Sequence, residues 1–325
     1  MPKRMTVLYL PHPSPKLHDP WDADVVAAIG NRHELRILDK TKPIPPQFAN
    51  IDVVIDMGGA VGTHEMVDAA TSTRLWQILG TGTDHFDLKY WQSKKMPVAN
   101  CPGPFSAVAL ADCAMMFILM LARQYPVARA NLDKRELYGP MGVELEGLSL
   151  GIVGFGASGT ELARRAKGFG MKISAIDIRS VPSEEIREFG LDFVGTPAAL
   201  DDLLGKLDVV SLHLHLNKET LHMIDARRLK LMKPTAFLIN TARGALVDEA
   251  ALSEALLAGR LGGAGLDTFS EEPPNMSRPI FRLPNVIATP HFAGQTTGTS
   301  RKRALCAAQN VDRIAAGQEP LYRVV

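Results

Sequence analysis

The sequence predicts an α/β chain built as two doubly wound, parallel-sheet domains. Three observations carry this. The chain has 325 residues, more than one hydrophobic core usually fills, since single cores stop growing near about 250–300 residues. Short β-rich runs alternate with helix-length segments along most of it, the pattern of parallel strands joined by crossovers. A glycine-rich turn sits between a strand and a helix near its middle, at Gly154-Phe-Gly156-Ala-Ser-Gly159.

Each segment follows in order. Residues 6–10, 35–38, 53–57 and 76–79 read as strands, each closed by Gly, Pro or polar turn residues, and together they make an α/β unit. Residues 97–105 punctuate the chain with proline and glycine. An apolar helix is expected at 106–123, followed by a polar connection at 124–146. The helix carries Asp112 in its middle and reads as a buried or subunit-interface helix rather than a membrane span. Six strands are then expected at 148–153, 172–178, 209–214, 236–240, 262–267 and 286–288. Helices at 183–189, 197–204, 226–231 and 249–258 complete a doubly wound sheet of the dinucleotide-binding type. A last helix near 299–316 returns to the first domain. The expected domains are residues 1–100 with 292–325, and residues 101–291, with the chemistry sought in the cleft between them.

Composition narrows the function classes. Hydrophobic residues make up 46% and charged residues 22%, ordinary usage for a folded soluble chain. Thirty-six Lys+Arg against 35 Asp+Glu leave a net charge of +1, so nothing electrostatic calls for nucleic acid or an anionic membrane as partner. Cys101, Cys113 and Cys306 are odd in number and form no CxxC, which suits a reducing cytoplasm and neither a disulfide framework nor structural zinc. The apolar run before Pro11 is too short for a secretory signal.

In the glycine loop, Gly154 would make the tight turn. Gly156 would let the backbone of Ala157 and Ser158 approach a pyrophosphate, and Gly159 would let helix and strand pack closely. The phosphates would sit on the helix N-terminus. Asp177, 18 residues past Gly159, is placed to accept from an adenosine ribose 2′-hydroxyl and to repel a 2′-phosphate, favouring NAD over NADP. Arg179, two positions on, could soften that preference.

Three further segments end strands of the same sheet: Asn240-Thr-Ala-Arg243, Gly265-Leu-Asp267 with Glu272-Pro273, and Thr289-Pro-His291. With Gly80-Thr-Gly-Thr-Asp-His-Phe-Asp87, Asn100-Cys-Pro-Gly103, Asp208-Val-Val-Ser-Leu-His213 and Met232-Lys-Pro234, the chain resembles the D-isomer-specific 2-hydroxyacid dehydrogenases over nearly its whole length. The resemblance extends to the glyoxylate, hydroxypyruvate and phosphoglycerate types. It implies a Rossmann nucleotide domain plus a smaller flavodoxin-like substrate domain, NAD as cofactor, a homodimer through the nucleotide domain, and a catalytic set of Arg243, Glu272 and His291.

Those side chains suit the chemistry. A 2-oxo acid presents a carboxylate beside a ketone, and the forked, permanently charged Arg243 can hold the one and polarise the other. His291 can give or take the proton that accompanies hydride transfer, with Glu272 accepting from its other ring nitrogen. The resemblance also implies that Thr81, Thr241 and Asp267 lie against the cofactor, Asp267 facing the nicotinamide carboxamide. It further implies that Gly58, Gly59 and Ala60, in Met57-Gly-Gly-Ala-Val61, cradle the substrate carboxylate through backbone amides.

His213 and His215 are expected to alternate on one strand, a pattern open to a metal, but no third ligand accompanies them and no metal site is expected. His85 reads as a turn residue. The chain departs from the family pattern at Phe105, at Leu110-Ala-Asp112 and at His215. Ending at Val325, it is expected to lack the regulatory extension of the long phosphoglycerate enzymes. The leading expectation is NAD-linked interconversion of a small 2-oxo acid and its D-2-hydroxy acid. The alternatives are an NAD(H)-sensing protein of the C-terminal-binding-protein corepressor type and a phosphite-type dehydrogenase.

Overall fold

The computed structural model describes residues 3–14, 16, 18–58, 62–84 and 86–325. The chain divides into two compact units, Met1–Phe105 with Gln295–Val325, and Ser106–Gly294. Both are α/β, and every strand pairing in both sheets is parallel.

The first unit runs β1 (Thr6–Leu10), α1 (Trp21–Ile29), β2 (Glu34–Ile37), α2 (Ile44–Gln47), β3 (Val53–Asp56), α3 (His64–Ala69), β4 (Leu75–Ile78), α4 (Leu88–Ser93) and β5 (Val98–Ala99). The sheet order is β2-β1-β3-β4-β5, which reverses direction between β1 and β3. Strands β3 and β4 are buried at every residue, as parallel strands covered on both faces must be. Helices start where the sequence supplies caps: Thr63 accepts from Met66 N and Asp87 from Tyr90 N.

The second unit opens with the apolar helix α5 (Ala107–Ala122), then α6 (Tyr125–Asp133), β6 (Ser149–Val153), α7 (Ala157–Gly168), β7 (Lys172–Ile176), α8 (Ser183–Phe189), β8 (Leu191–Gly195) and α9 (Leu200–Leu204). It continues with β9 (Val209–Leu212), α10 (Ala226–Leu231), β10 (Phe237–Asn240), α11 (Glu249–Leu257), β11 (Gly263–Leu266) and β12 (Val286–Ala288). The order is β12-β11-β10-β9-β6-β7-β8. α5 buries ten residues, and eight of them, Phe117 and Ile118 included, share one core with Leu150, Ile152, Leu162 and Ile239. No single helix among the described residues is long and apolar enough to cross a membrane. α12 (Thr297–Ala315), capped by Thr296, then packs Ala304, Ala307 and Val311 into the core of the first unit beside Trp21 and Val25.

Four expectations are corrected. The nucleotide-type sheet has seven strands, not six: β8 went unseen because an edge strand with Asp192 and Phe193 exposed carries no apolar run. The polar connection holds α6, which buries no residue and so shows no apolar stripe. The helix expected at 197–204 is a 3-10 turn, Pro197–Ala199, before α9. β9 ends at Leu212, so His213 and His215 lie beyond the strand and do not share a strand face.

Candidate functional site

In the Ser106–Gly294 unit the carboxyl ends of β6, β7, β10, β11 and β12 carry most of the expected groups, as a doubly wound sheet requires. Gly154 follows β6 with φ +95, and a Cβ there would lie 2.4 Å from the His213 carbonyl oxygen. A Cβ on Gly159 would lie 2.3 Å from Gly154 O, so only glycine lets α7 start this close to its own turn. A Cβ on Gly156 would meet nothing within 4 Å: this edge of the loop is open. α7 begins at Ala157 with no side-chain cap, leaving its first N–H groups for water or an anion.

Ser158 turns its hydroxyl inward. Its Oγ lies 2.9 Å from His213 Nδ1, and His213 Nε2 lies 2.9 Å from Ser211 Oγ. His213 is half-buried as a residue, but its ring is enclosed between those hydroxyls, and burial pulls its pKa down to about 4. It is a neutral brace between β9 and α7.

Asp177, just past β7, accepts from Phe155 N at 2.6 Å and Arg179 N at 2.9 Å, which fixes its carboxylate beside the loop. The Arg179 guanidinium is bidentate on Glu185, at 2.7 and 3.2 Å, and also donates to Phe155 O at 2.6 Å. Glu185 went unnoticed in the sequence because it sits in α8, with no motif to mark it.

Three more groups meet past β10–β12. Asn240, 1% exposed, ends β10 and folds its side chain onto the turn: Oδ1 accepts from Ala242 N at 3.1 Å and Nδ2 donates to Arg243 O at 2.8 Å. Arg243 is half-buried, with Nη1 donating to Ala242 O at 2.9 Å. Glu272 accepts from Phe269 N at 3.0 Å through Oε1, and its Oε2 lies 2.8 Å from His291 Nδ1. Burial pushes the Glu272 pKa up, but the hydrogen bonds from His291 and Phe269 and the nearby charge of Arg243 outweigh it, and the net shift is downward.

His291 itself has φ +51. Asp267, fully buried, brackets it: Oδ1 accepts from Thr289 Oγ1 at 2.6 Å and Phe292 N at 2.8 Å, and Oδ2 accepts from Ala293 N at 2.9 Å. The structure thus shows Asp267 holding the His291 turn from both sides, a use its family position did not suggest. Thr241 is 4% exposed, and its buried Oγ1 has no partner among the described residues.

In the other unit, Gly58 follows β3 with φ +89 and donates its N–H to Asp56 Oδ1 at 2.9 Å. Gly59, Ala60 and Val61 of the expected carboxylate loop, and His85, lie outside the described residues. Asp56 is fully buried and also accepts from Trp76 Nε1 at 3.0 Å; burial, opposed by these bonds, pushes its pKa up to about 6. An acid inside an apolar strand, Val-Val-Ile-Asp, offered no signal of its role. Thr81, past β4, accepts from Asn100 Nδ2 through its carbonyl at 2.8 Å and from Arg303 Nη2 through its hydroxyl at 3.2 Å.

The residues present fit a dinucleotide. The glycine turn has an open edge, α7 starts uncapped, an oriented acid stands at the end of β7, and a buried threonine hydroxyl lacks an acceptor. Fold and site therefore define a two-domain protein whose second unit is built for NAD. Residues 115–293 match the family model for the D-isomer specific 2-hydroxyacid dehydrogenase, NAD binding domain.

The chain is 39% identical to a glyoxylate reductase of Thermococcus litoralis, over 83% of this chain and 82% of that protein. It is 31% identical to a D-3-phosphoglycerate dehydrogenase of Methanocaldococcus jannaschii over 92% of this chain, and spans 57% of the length of that relative. Its fold superimposes with a TM-score of 0.78, at 28% identity and 96% coverage of each chain, on a D-lactate dehydrogenase of Aquifex aeolicus solved with NAD and lactic acid. The chain belongs to the D-isomer-specific 2-hydroxyacid dehydrogenase family.

Proposed function

We propose that the chain is an NAD-dependent oxidoreductase that interconverts a small 2-oxo acid and its D-2-hydroxy acid. The observation that carries this is the 2.8 Å contact between Glu272 Oε2 and His291 Nδ1, on the same sheet edge as Arg243. NAD(H), when bound, supplies or takes the hydride.

The chain's own groups do the rest. Arg243 binds the substrate carboxylate and polarises the carbonyl oxygen where negative charge develops. With Nδ1 committed to Glu272, His291 keeps Nε2 for the substrate. It gives that oxygen a proton in reduction and takes one from the hydroxyl in oxidation. Glu272, its pKa held down against burial by its hydrogen bonds, lies with Oε2 against Nδ1 and so orients the ring. Asp267 and Asn240 hold the two turns in place, and Gly58 is proposed to offer its loop to the carboxylate. Asp177, with Arg179 occupied by Glu185, favours NAD over NADP.

Oligomer and compartment belong to the same reading. Leu132, Leu137, Tyr138 and Met141 are each exposed, on and after α6, and are side chains of the kind that subunit contacts cover. We take it as the homodimer face, to be checked by light scattering with Leu137→Glu. Three buried, unpaired cysteines suit the cytoplasm.

The test is His291→Ala. Turnover of 2-oxo acids with NADH should fall about 100- to 10,000-fold while NADH affinity stays near wild type. An ordinary turnover would sink the assignment.

A further inference from the structure

Among the described residues Arg303, on α12, is a cation without an anion. Its guanidinium lies 5.8 Å over the Trp21 ring, and Nη2 donates to Thr81 Oγ1. Nε is buried and has no partner, and among the described residues no carboxylate forms an ion pair with it. Burial lowers its pKa below the ordinary arginine range, the direction expected when nothing nearby repays the lost hydration.

A structural arginine at this depth normally comes with an acid. Here the guanidinium has an aromatic ring and the Thr81 hydroxyl beside it, and its remaining edge donors are unmatched among the described residues. Of the two acids on α1, Asp22 accepts from Tyr9 Oη at 2.8 Å and Asp24 from Ser300 Oγ at 2.5 Å, and Gln295 accepts from Trp21 Nε1 at 2.9 Å. Nη1 has no protein acceptor among the described residues, yet it is not enclosed as Nε is.

The place is also informative. Thr81 follows β4 at the carboxyl edge of the five-stranded sheet, and Gly58 follows the neighbouring β3: a Cβ on Gly58 would lie 3.8 Å from Gly80 N. A hydroxyl that accepts from Arg303 keeps its own proton to donate. Guanidinium fork and hydroxyl together suit the oxygens of a carboxylate or a phosphate.

We propose that Arg303 and Thr81 form an anion-recognition subsite, and that the 2-oxo acid this chain acts on carries a second anionic group held there. The proposal rests on the dehydrogenase reading for the word substrate, and on the first unit alone for the subsite.

The test compares wild type, Arg303→Met and Arg303→Lys. NADH turnover is measured on glyoxylate and pyruvate, on the dicarboxylic oxaloacetate and 2-oxoglutarate, and on 3-phosphohydroxypyruvate. Thermal protection by malonate, inorganic phosphate and acetate is measured beside it. The expected result is a wild-type preference for one doubly anionic class, the dicarboxylic or the phosphorylated arm naming which. Arg303→Met should cut kcat/KM on that class roughly 10- to 100-fold more than on glyoxylate. Arg303→Lys should recover part of the loss, and malonate or phosphate should protect wild type more than Arg303→Met.

Equal losses on glyoxylate and the dianions, or a wild type with no dianion preference and no Arg303-dependent protection, overturns the proposal and leaves the dehydrogenase reading standing. Arg303-dependent protection with no turnover of any 2-oxo acid does the reverse: the subsite stands and the dehydrogenase reading falls. The wild-type preference and protection need no variant, so a variant that fails to fold does not blunt the test.

Discussion

The two units treat charge in opposite ways. In the nucleotide-type unit the groups around the site come with partners: Glu272 with His291, Arg179 with Glu185, and Asp267 with three donors from the Thr289–Ala293 turn. In the first unit, the carboxylate of Asp56 is buried against the Gly58 amide and the Trp76 indole, and Arg303 is set against a hydroxyl and an aromatic ring. The first arrangement is organised before anything binds. The second buries an acid whose pKa rises to about 6 and a guanidinium with no ion pair among the described residues.

The largest effect should come from breaking the organised side. Arg243→Ala removes the group proposed to hold the carboxylate and polarise the carbonyl, and kcat/KM should fall about 1,000- to 10,000-fold with NADH affinity little changed. Steady-state kinetics and a fluorescence titration check this together, and a loss confined to NADH binding would move Arg243 out of the substrate site.

Next in size is stability against pH, where the two units should pull in opposite directions. His213 is held at about 4 in the folded chain, so between that value and its ordinary 6.5 the unfolded chain binds more protons. Its contribution is full above pH 6.5 and declines as pH falls toward 4, by up to about 3 kcal/mol. Asp56 is raised to about 6, so its stabilising proton is held at low pH and lost as pH rises through that value, again a change of about 3 kcal/mol. Denaturation midpoints from pH 4 to 7 should lose the acid-side decline in His213→Gln and the rise-with-acid component in Asp56→Asn. Unchanged slopes in both variants would contradict the burial assigned to each group.

A smaller effect isolates the orienting acid. Glu272→Gln should lower kcat for reduction about 10- to 100-fold, because it removes the carboxylate that holds His291 Nδ1 and orients the ring. NADH affinity should stay near wild type, and an unchanged kcat would mean that Glu272 only packs the turn. Smallest is cofactor choice: Asp177→Ala should improve NADPH relative to NADH by about tenfold, the scale of one removed charge repulsion. No change in that ratio would shift selectivity away from the end of β7.

The difference between the units also explains what could be read in the sequence. The glycine turn and the acid after β7 are local, so spacing exposed them; the Arg, Glu and His also sit at strand ends, but their roles came from the family resemblance. Asp56, Thr81 and Arg303 come from β3, the loop after β4 and α12, and only folding brings Arg303 to Thr81. Glu185 and Asn240 were hidden for a related reason, since their work is to hold another residue. Among the elements, β8 and α6 were missed because neither buries a continuous apolar face, while α5, apolar nearly all round, was plain.

The most direct test of the whole reading is NADH oxidation by the wild-type chain, followed at the nicotinamide absorbance, across a panel of 2-oxo acids with NADPH in parallel. The account predicts turnover of one or two of them with NADH, slower with NADPH. NADH that binds tightly while none of the panel is reduced would contradict it, and would point instead to a cofactor-sensing role for the same site.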